Sequence, residues 1–409
     1  MNIDKNAITI DLDPRDPDFF NDPYSAYEEI RSVSPSFFWN EYGMWCFTAF
    51  SDVNRLLRDK RFGRQILHVA TREELGMAPP KPHLADFDGV EAHSLLELEP
   101  PAHTRLRTLV NRAFVSRQVE KLRPEIAAHT HATIDSFAAD GEVELIKAFA
   151  EPIPVSVIAR MLGVPQERCD DLLDWSHAMV RMYMFEADEA TERAANQAAR
   201  EFADCLTELI AERRREPSDD LLSHMITSER AGDRLSDAEL ISTSVLLLNA
   251  GHEATVHQTG NAAKAILENG LDHHALFKDD ASTTAAIEEL LRYDAPLHMF
   301  TRYALQDISL EGGIEIKKGQ EIGLMLGAAN RDPQQFESPA SIIPGRPDQA
   351  NVTFGAGIHF CIGAPLARLE MQISLPILFE RLPGLRLANE PRYRDAYHFH
   401  GLERLDLAW

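Results

Sequence analysis

The chain has 409 residues, a formal net charge of −24 and a hydrophobic content of 44%. The acidic balance argues against nucleic acid and anionic membrane surfaces as partners. Residues 1–13 contain no apolar run typical of a signal or anchor, and the four cysteines show neither metal-ligand spacing nor a dense disulfide pattern. We therefore expect a protein of the reducing cytoplasm that does not bind a membrane.

Helical patterns dominate the first half of the chain. We predict a short amphipathic helix at 22–31, a hairpin within 36–48, and a helix at 51–58 that Ser51 caps. Residues 64–97 lack a clean period and are rich in proline, so they are predicted to be mostly loop. Further helices are predicted at 101–115, 117–139, 147–163, 166–184, 188–214 and 218–229.

One predicted helix is unusually long. Ser236 and Glu239 have capping-box spacing, the helical pattern continues to Glu268, and Gly270 supplies the stop. Its length of about 33 residues corresponds to roughly 50 Å, so this helix must cross the whole molecule.

The sequence predicts a mainly α fold with a minor β region, in a single domain over 1–409. The later elements are a helix at 282–293 and strands at 301–305, 308–310, 321–325 and near the C-terminus.

A cysteine stands at the predicted start of a helix. Cys361 lies in segment 354–363, FGAGIHFCIG, and a helical pattern follows over 366–373, with Pro365 tolerated near the helix start. The N–H groups and positive dipole end of a helix favour a thiolate over a thiol. A thiolate bound to haem iron favours O–O cleavage, and glycines let a chain pass close under a flat macrocycle. We interpret Cys361 as a haem ligand, the alternative being a buried structural cysteine.

This segment resembles the cysteine-ligand signature of the cytochrome P-450 haem-thiolate monooxygenases, with Phe354, Gly355, Cys361 and Gly363 in the family's places. The resemblance covers essentially the full chain. It implies the cytochrome P-450 fold, in which the long central helix lies over the haem. It also implies haem b (heme b, iron protoporphyrin IX), with Cys361 as the axial ligand of the iron, and the soluble bacterial type, which lacks a membrane anchor.

The resemblance also implies a structural triad. Glu289 and Arg292 are three residues apart on one helix face, and an isolated pair of this kind is usually a solvated ion pair. In this chain the pair resembles the family's Glu-x-x-Arg motif, which a downstream arginine joins, here Arg346. The triad would lock the loop that presents the cysteine. One departure is visible, because residues 342–343 are both isoleucine where the family commonly has an aromatic residue.

Four cationic side chains match the family's haem-propionate positions. Two buried propionates need cations, and His103 and Arg107 lie four residues apart on one helix face. Arg302 and His359 complete the set by resemblance, whereas each of the four would be read as solvated if it stood alone. The full set predicted to contact the cofactor is His103, Arg107, Ala250, Arg302, Phe354, Gly355, His359, Cys361 and Gly363.

The long helix carries a segment that resembles the family's oxygen-binding groove. Gly251 at its centre costs about 1 kcal/mol against alanine, which suggests a close approach of the haem face. Glu253 matches the family's acid, but Ala254 stands where the family has threonine, and Thr255 comes one residue later. One residue is about 100° of helix rotation, so the Thr255 hydroxyl should not replace the missing one. Two explanations remain open. Ordered water, Glu253 and a polar group of the substrate supply the protons for O–O cleavage, or Thr255 or water takes over the role of the missing hydroxyl.

Substrate contacts vary within the family, so they are predicted by position only. An apolar lining with one polar contact is expected, although for each side chain a plain core position is the alternative. The predicted contacts are Met182, Leu247, Leu297, Met299 and His398.

The resemblance implies hydroxylation, or oxidative dealkylation, of an apolar small organic substrate with dioxygen. The chain has no nucleotide-binding glycine motif and no iron–sulfur cysteine cluster. Electrons should therefore come from a ferredoxin or flavodoxin with an NAD(P)H-dependent reductase. A basic patch inside the acidic protein would steer such a partner. The arginines proposed for this patch are Arg105, Arg112, Arg117 and Arg368.

Three other functions remain open from the sequence. A peroxide-driven peroxygenase would need no redox partner, and Ala254 favours it slightly. A non-catalytic haem sensor or carrier would show no spectral change with substrate. A haem-free interaction protein would be colourless.

Overall fold

The computed structural model describes residues 1–113, 119–185, 187–230 and 232–409. Helices predominate, as predicted, and most begin and end within a few residues of their predicted bounds. The helices are α1 (Pro17–Asn21), α2 (Pro23–Val33), α3 (Phe50–Leu56), α4 (Ala85–Glu91), α5 (Ala102–Ala113), α6 (Arg123–Asp135), α7 (Pro152–Leu162), α8 (Cys169–Val180), α9 (Glu189–Arg215), α10 (Leu221–Thr227), α11 (Asp237–Glu268), α12 (His273–Leu276), α13 (Asp280–Tyr293), α14 (Leu326–Ala329) and α15 (Ala364–Arg381).

The strands form one larger sheet and several small ones. They are β1 (Asn2–Asp4), β2 (Thr9–Asp11), β3 (Ser36–Trp39), β4 (Met44–Phe47), β5 (Phe62–Gly63), β6 (Glu142–Glu144), β7 (Glu229–Arg230), β8 (Asp233–Arg234), β9 (Phe300–Ala304), β10 (Ile308–Ser309), β11 (Glu315–Ile316), β12 (Glu321–Leu324), β13 (Arg386–Leu387), β14 (Arg392–Tyr393), β15 (Leu402–Arg404) and β16 (Asp406–Ala408). The seven-stranded sheet has the order β1-β2-β3-β4-β12-β9-β5, in which β12 pairs parallel to β4 and antiparallel to β9. A three-stranded sheet has the order β13-β16-β6.

The long helix α11 runs through the main core. Its capping box is present: the Glu239 N–H donates to Ser236 Oγ at 3.2 Å, and the Ser236 N–H donates to Glu239 Oε2 at 2.8 Å. After α11 ends, Gly270 takes a left-handed φ of 56°. Most side chains of α11 are buried all round, in a core shared with α7, α13 and α15. No helix among the described residues is both long and apolar enough to cross a bilayer.

One local prediction is wrong and another is incomplete. Ser51 does not cap α3, because the helix starts one residue earlier and the Phe50 N–H donates to Asp332 Oδ2 at 2.8 Å. The predicted loop contains the helix α4, where the N–H groups of its first turn, Asp86 and Phe87, both donate to Asn196 Oδ1 of α9. In both places a distant side chain satisfies the helix start, so local sequence carries no signal for it.

Two predicted helices have different limits. The helix expected at 147–163 is divided, with a π-helical turn at Ile146–Ala150 before α7 begins at Pro152. Proline lacks an N–H and therefore suits a first helical turn better than a helix interior. The helix expected at 117–139 includes residues outside the described ones, and the described part has α6 from Arg123.

Candidate active site

The loop before α15 is held in a turn that requires glycine. The Cys361 N–H donates to Phe354 O at 3.0 Å, which closes the loop on itself. Gly355 and Gly357 have left-handed φ values of 68° and 75°. A Cβ on Gly357 would stand 2.6 Å from the carbonyl oxygen of Leu57, a distance no side chain tolerates. The glycine pattern thus fixes where the cysteine is presented, at the mouth of α15.

The pKa of the Cys361 thiol reflects two opposing effects. Burial raises the pKa of the Cys361 thiol, although the Gly363 and Ala364 N–H groups act in the opposite direction. The guanidinium groups of Arg107 and Arg368 also lower it, but the net pKa lies above the ordinary value. The helix start alone therefore does not make a thiolate. A bound metal cation would deprotonate the thiol outright, and the N–H groups would then stabilise the anion.

The predicted propionate histidines lie together. His103 is buried, and neither ring nitrogen has a hydrogen-bond partner among the described residues. Its ring centroid is 4.5 Å from that of His359, whose Nε2 lies 3.1 Å from Glu99 Oε1. Burial, with His359 and Arg107 nearby, lowers the pKa of His103 to about 4. An orphaned, buried imidazole among cations is the environment that an anionic group would satisfy.

The predicted propionate arginines show the same need for an anion. Arg302 is buried on β9, where burial and the nearby Arg64 guanidinium lower its pKa to about 9. Arg107 is half-buried on α5 and donates to Phe360 O at 2.8 Å, beside the cysteine. Together with the two histidines, these groups fit the two carboxylates of a haem. Arg64 and Glu99 were not predicted, because Arg64 comes from the segment read as loop and Glu99 lies in the short stretch between that segment and the next predicted helix.

One face of α11 is accessible in an otherwise buried helix. Ala250 is exposed and Leu246 and Ala254 are partly exposed, and these residues are four apart along one stripe. Thr255 lies off this stripe, and its Oγ1 donates to the Gly251 carbonyl at 2.8 Å. The hydroxyl is thus engaged within the helix. A Cβ on Gly251 would make only an ordinary van der Waals contact with α7. The accessible face is lined by Ala250 and by the adjacent helix backbone.

Glu253 lies at the centre of a charged network. Its carboxylate is 3.3 Å from His177 Nε2, 3.1 Å from His257 Nε2 and 3.5 Å from Arg394 Nη2. Burial alone would raise the pKa of Glu253, but the His257 hydrogen bond and the nearby cationic groups lower it to about 2. The carboxylate is therefore ionised at neutral pH. A Cβ on Gly401 would stand 2.1 Å from His257, so this glycine lets the C-terminal segment approach.

The three partners of Glu253 were not predicted. Only His257 had a sequence signal, the four-residue spacing on one helix. His177 on α8 and Arg394 after β14 reach the site through tertiary packing alone.

Glu289, Arg292 and Arg346 form one buried cluster. Arg292 binds Glu289 through two parallel hydrogen bonds of 2.9 and 2.7 Å, and Arg346 Nε donates to Glu289 Oε1 at 2.8 Å. Arg292 also donates to the carbonyls of Asn330, Pro339 and Ser341. The triad thus ties α13 to the chain between α14 and the cysteine loop.

Isoleucine stands where the family commonly has an aromatic residue, and the backbone at this position contacts the triad. Ile343 is 42% exposed, and its backbone N–H donates to Glu289 Oε1 at 2.8 Å. The backbone at this position therefore serves the triad, while the side chain faces outward.

The predicted substrate residues do not all face the accessible stripe. Leu247 is buried on α11, and Met182 is partly buried in a 3₁₀ turn after α8. Leu297 bridges to Phe399, and burial lowers the pKa of His398 to about 4. Met299 packs in the small core of the sheet with Trp39 and Tyr397, so we do not retain it among the substrate contacts. The retained proposals are Met182, Leu247, Leu297 and His398.

The predicted basic patch is largely neutralised. Arg105 pairs with Asp233 at 3.1 Å and with Glu239, and Arg368 binds Glu288, with a second contact of 3.0 Å. Arg117 lies outside the described residues. These ion pairs leave no support for a patch built on Arg105 and Arg368.

The comparisons with known proteins agree with this geometry. The family model "Cytochrome P450" matches residues 278–383. The chain is 35% identical over 405 residues to "Polyketide biosynthesis cytochrome P450 PksS" of Bacillus subtilis (strain 168), covering 97% of this chain and 98% of that protein. It is 38% identical over 400 residues to "Cytochrome P450 107B1" of Saccharopolyspora erythraea, covering 97% of each.

Solved structures show the same fold. The crystal structure of P450BioI in complex with hexadec-9Z-enoic acid ligated acyl carrier protein superposes with a TM-score of 0.88. It is 32% identical and the match covers 96% of this chain and all of that one. The Bacillus subtilis PksS structure gives a TM-score of 0.87 at 34% identity.

The protein is a haem-thiolate monooxygenase. Its cysteine loop, its long helix α11 and the cationic side chains predicted to hold the propionates fit this class. The chain belongs to the cytochrome P450 family, of a bacterial type with no assigned subfamily. Its cofactor is haem b with a cysteine thiolate as axial ligand, and the predicted cytochrome P-450 fold is confirmed. The non-catalytic and haem-free alternatives are thereby set aside.

Proposed function

We propose that this monooxygenase hydroxylates, or oxidatively dealkylates, an apolar polyketide or fatty acyl molecule. The apolar stripe of α11 is the observation that carries the proposal, because a carbon chain held between this stripe and the haem, which Ala250 is predicted to contact, meets an apolar wall. Leu246, Ala250 and Ala254 offer it no hydrogen-bonding side chain. The names of the relatives, which refer to polyketide biosynthesis and to an acyl carrier protein carrying a fatty acid, support this substrate class.

The protein's own residues have separate roles in the proposed reaction. Cys361 binds the haem iron, and the haem, when bound, supplies the activation of dioxygen. His103, Arg107, His359 and Arg302 hold its propionates. Glu253 passes protons, since its Oε1 lies 3.3 Å from the partly exposed His177 and can receive a proton from Nε2. Because Ala254 has no hydroxyl and Thr255 bonds within its helix, ordered water carries the last proton.

Electrons reach the site from a separate protein. We keep the prediction of a ferredoxin or flavodoxin with an NAD(P)H-dependent reductase, which rests on the lack of a flavin or iron–sulfur motif in the sequence. Reconstitution with each carrier in turn checks it. Reduction of the haem by neither carrier would contradict this part of the proposal.

A peroxide-driven reaction is the second candidate, because Ala254 removes the usual hydroxyl. The ion-paired Glu253 favours the dioxygen route instead, since peroxide already carries the protons that a relay would supply. We expect turnover with dioxygen and reductant to exceed turnover with peroxide alone. The reverse order would replace the proposed function by the second candidate.

Substrate class is best tested by the haem spin state. We expect free fatty acids, carrier-bound acyl chains or macrolactone polyketides to shift the purified protein to high spin. Leu246→Ala should weaken that binding by about 1–3 kcal/mol, because the partly exposed Leu246 side chain lies on the stripe. The exposed Leu67, 41% accessible, gives the control variant Leu67→Ala. A shift only with small polar compounds would contradict the proposed class.

Ala254→Thr tests the proton supply. We expect the ratio of product formed to nicotinamide oxidised to rise about fivefold, since one added hydrogen bond is worth about 1 kcal/mol. Ala254→Val has nearly the same shape without the hydroxyl and serves as the matched control. An equal response of the two variants would show that side-chain volume, and not the missing hydroxyl, governs coupling.

A further inference from the structure

Two histidines and a glutamate join α8 to α11 away from the accessible stripe. His177 comes from α8, and His252 and Glu253 are consecutive on α11. One ligand atom from each of the three lies within 4.8 Å of the other two. Since two different helices contribute, the cluster is not a product of local sequence.

His252 is the member that ordinary packing does not explain. It is completely buried, and neither ring nitrogen meets a hydrogen-bond partner within the described ranges. Its ring centroid lies 5.6 Å from that of His177, so the imidazole faces the cluster. An unsatisfied buried polar group costs about 1–3 kcal/mol. A ligand that bound to one of these ring nitrogens would remove that cost.

The Glu253 carboxylate divides its two oxygens between two environments. Oε2 faces His257 and Arg394, at 3.1 and 3.5 Å. Oε1 faces His177 Nε2 at 3.3 Å. Two ligands about 2.1 Å from a tetrahedral Zn²⁺ stand about 3.4 Å apart, close to this separation. The Glu151 carboxyl is near enough to interact with both His177 and Glu253, and adds negative charge at the same place.

We propose that His177, His252 and Glu253 form a binding site for a divalent transition metal, with Zn²⁺ as the fitting ion. Two imidazoles and one carboxylate are ligands that zinc prefers, and a water molecule completes a tetrahedral set. Mg²⁺ and Ca²⁺ select oxygen ligands and do not suit this set. The His177 side chain is 39% exposed, which gives the ion a path from solvent.

The site makes zinc an inhibitor, a consequence that rests on the proposed role of Glu253. The ion occupies the oxygen that faces His177 and so blocks the proposed proton path. It also clamps α8, which leads into the turn that carries Met182, against α11. Both effects lower turnover without displacing the haem.

Calorimetric titration of Zn²⁺ into the haem-loaded protein tests the site without reference to turnover. We expect one zinc per haem, no binding of Mg²⁺, and affinity at least about tenfold lower in His177→Ala and in His252→Ala. His224→Ala is the matched control: this histidine is 36% exposed and has one carboxylate neighbour, Asp219, at 3.3 Å. It should bind zinc like the unmodified protein.

Two results would overturn the proposal. One is the absence of stoichiometric zinc binding by the unmodified protein. The other is unchanged zinc affinity in His177→Ala, with the Soret spectrum and melting temperature showing that the variant is folded. A zinc anomalous peak between His177 and Glu253 in crystals would place the ion directly. If zinc binds as expected but turnover is unaffected, the metal site stands and the proton role of Glu253 fails.

Discussion

Arg292→Leu is expected to lower the free energy of unfolding by about 3–5 kcal/mol and to remove most of the bound haem. Arg292 is 1% exposed and uses its guanidinium nitrogens on Glu289 and three backbone carbonyls. Leucine would leave the Glu289 carboxylate with less charge compensation and would free the chain that leads to the cysteine. Chemical denaturation and the ratio of Soret to protein absorbance measure the two effects.

Arg55→Leu is the matched control for this variant. Arg55 pairs with Asp52 three residues away, the spacing of Glu289 and Arg292, but its side chain is 44% exposed. Exposed pairs contribute about 0–1 kcal/mol, so this variant should stay near the unmodified protein. If both variants lost the same stability, or if Arg292→Leu kept full haem, burial of the triad would not be what secures the loop.

Glu370→Gln is expected to stabilise the protein at alkaline pH. Glu370 lies on α15, is buried, and its Oε2 has no hydrogen-bond partner within the described chain. Burial raises the pKa of this carboxyl from 4.5 to about 8. Between those values the folded protein holds a proton that the unfolded chain has lost, so stability falls as pH rises through this range. Glutamine stays neutral and removes that loss.

The expected gain is up to about 4–5 kcal/mol at pH near 9, and close to zero at pH near 4. Denaturant titrations of the haem-loaded protein at both pH values measure it. Glu380→Gln, an exposed change on the same helix, is the control and should alter stability little at either pH. A constant difference between Glu370→Gln and the unmodified protein at the two pH values would show that the carboxyl does not titrate as described.

The sequence predicts those parts of the fold whose signals are local. The capping box at Ser236 and Glu239 and the stop at Gly270 give α11 nearly to the residue. Strand alternation gives β3 and β4. The start of α4 depends on Asn196, and the start of α3 depends on Asp332, so neither could be predicted from neighbouring residues.

The candidate site divides in the same way. Residues that stand in fixed motifs, such as Cys361, Glu289 and Arg292, can be found from spacing and family resemblance. Two of the three partners of Glu253 come from α8 and from the segment after β14, which only tertiary packing brings together. The N–H groups of Gly363 and Ala364 lower the pKa of the Cys361 thiol as the helix start predicts, whereas the burial that raises this pKa depends on tertiary packing and has no signal in the motif.

Ligation of haem iron by the Cys361 sulfur is the interaction on which the whole proposed reaction depends. The direct measurement is the absorption spectrum of the reduced protein under carbon monoxide. We expect the strongly red-shifted Soret band of a thiolate-ligated haem in the unmodified protein, and its loss in Cys361→Ala. A Soret band at the position typical of histidine-ligated haem, or the same red-shifted band in Cys361→Ala, would contradict it.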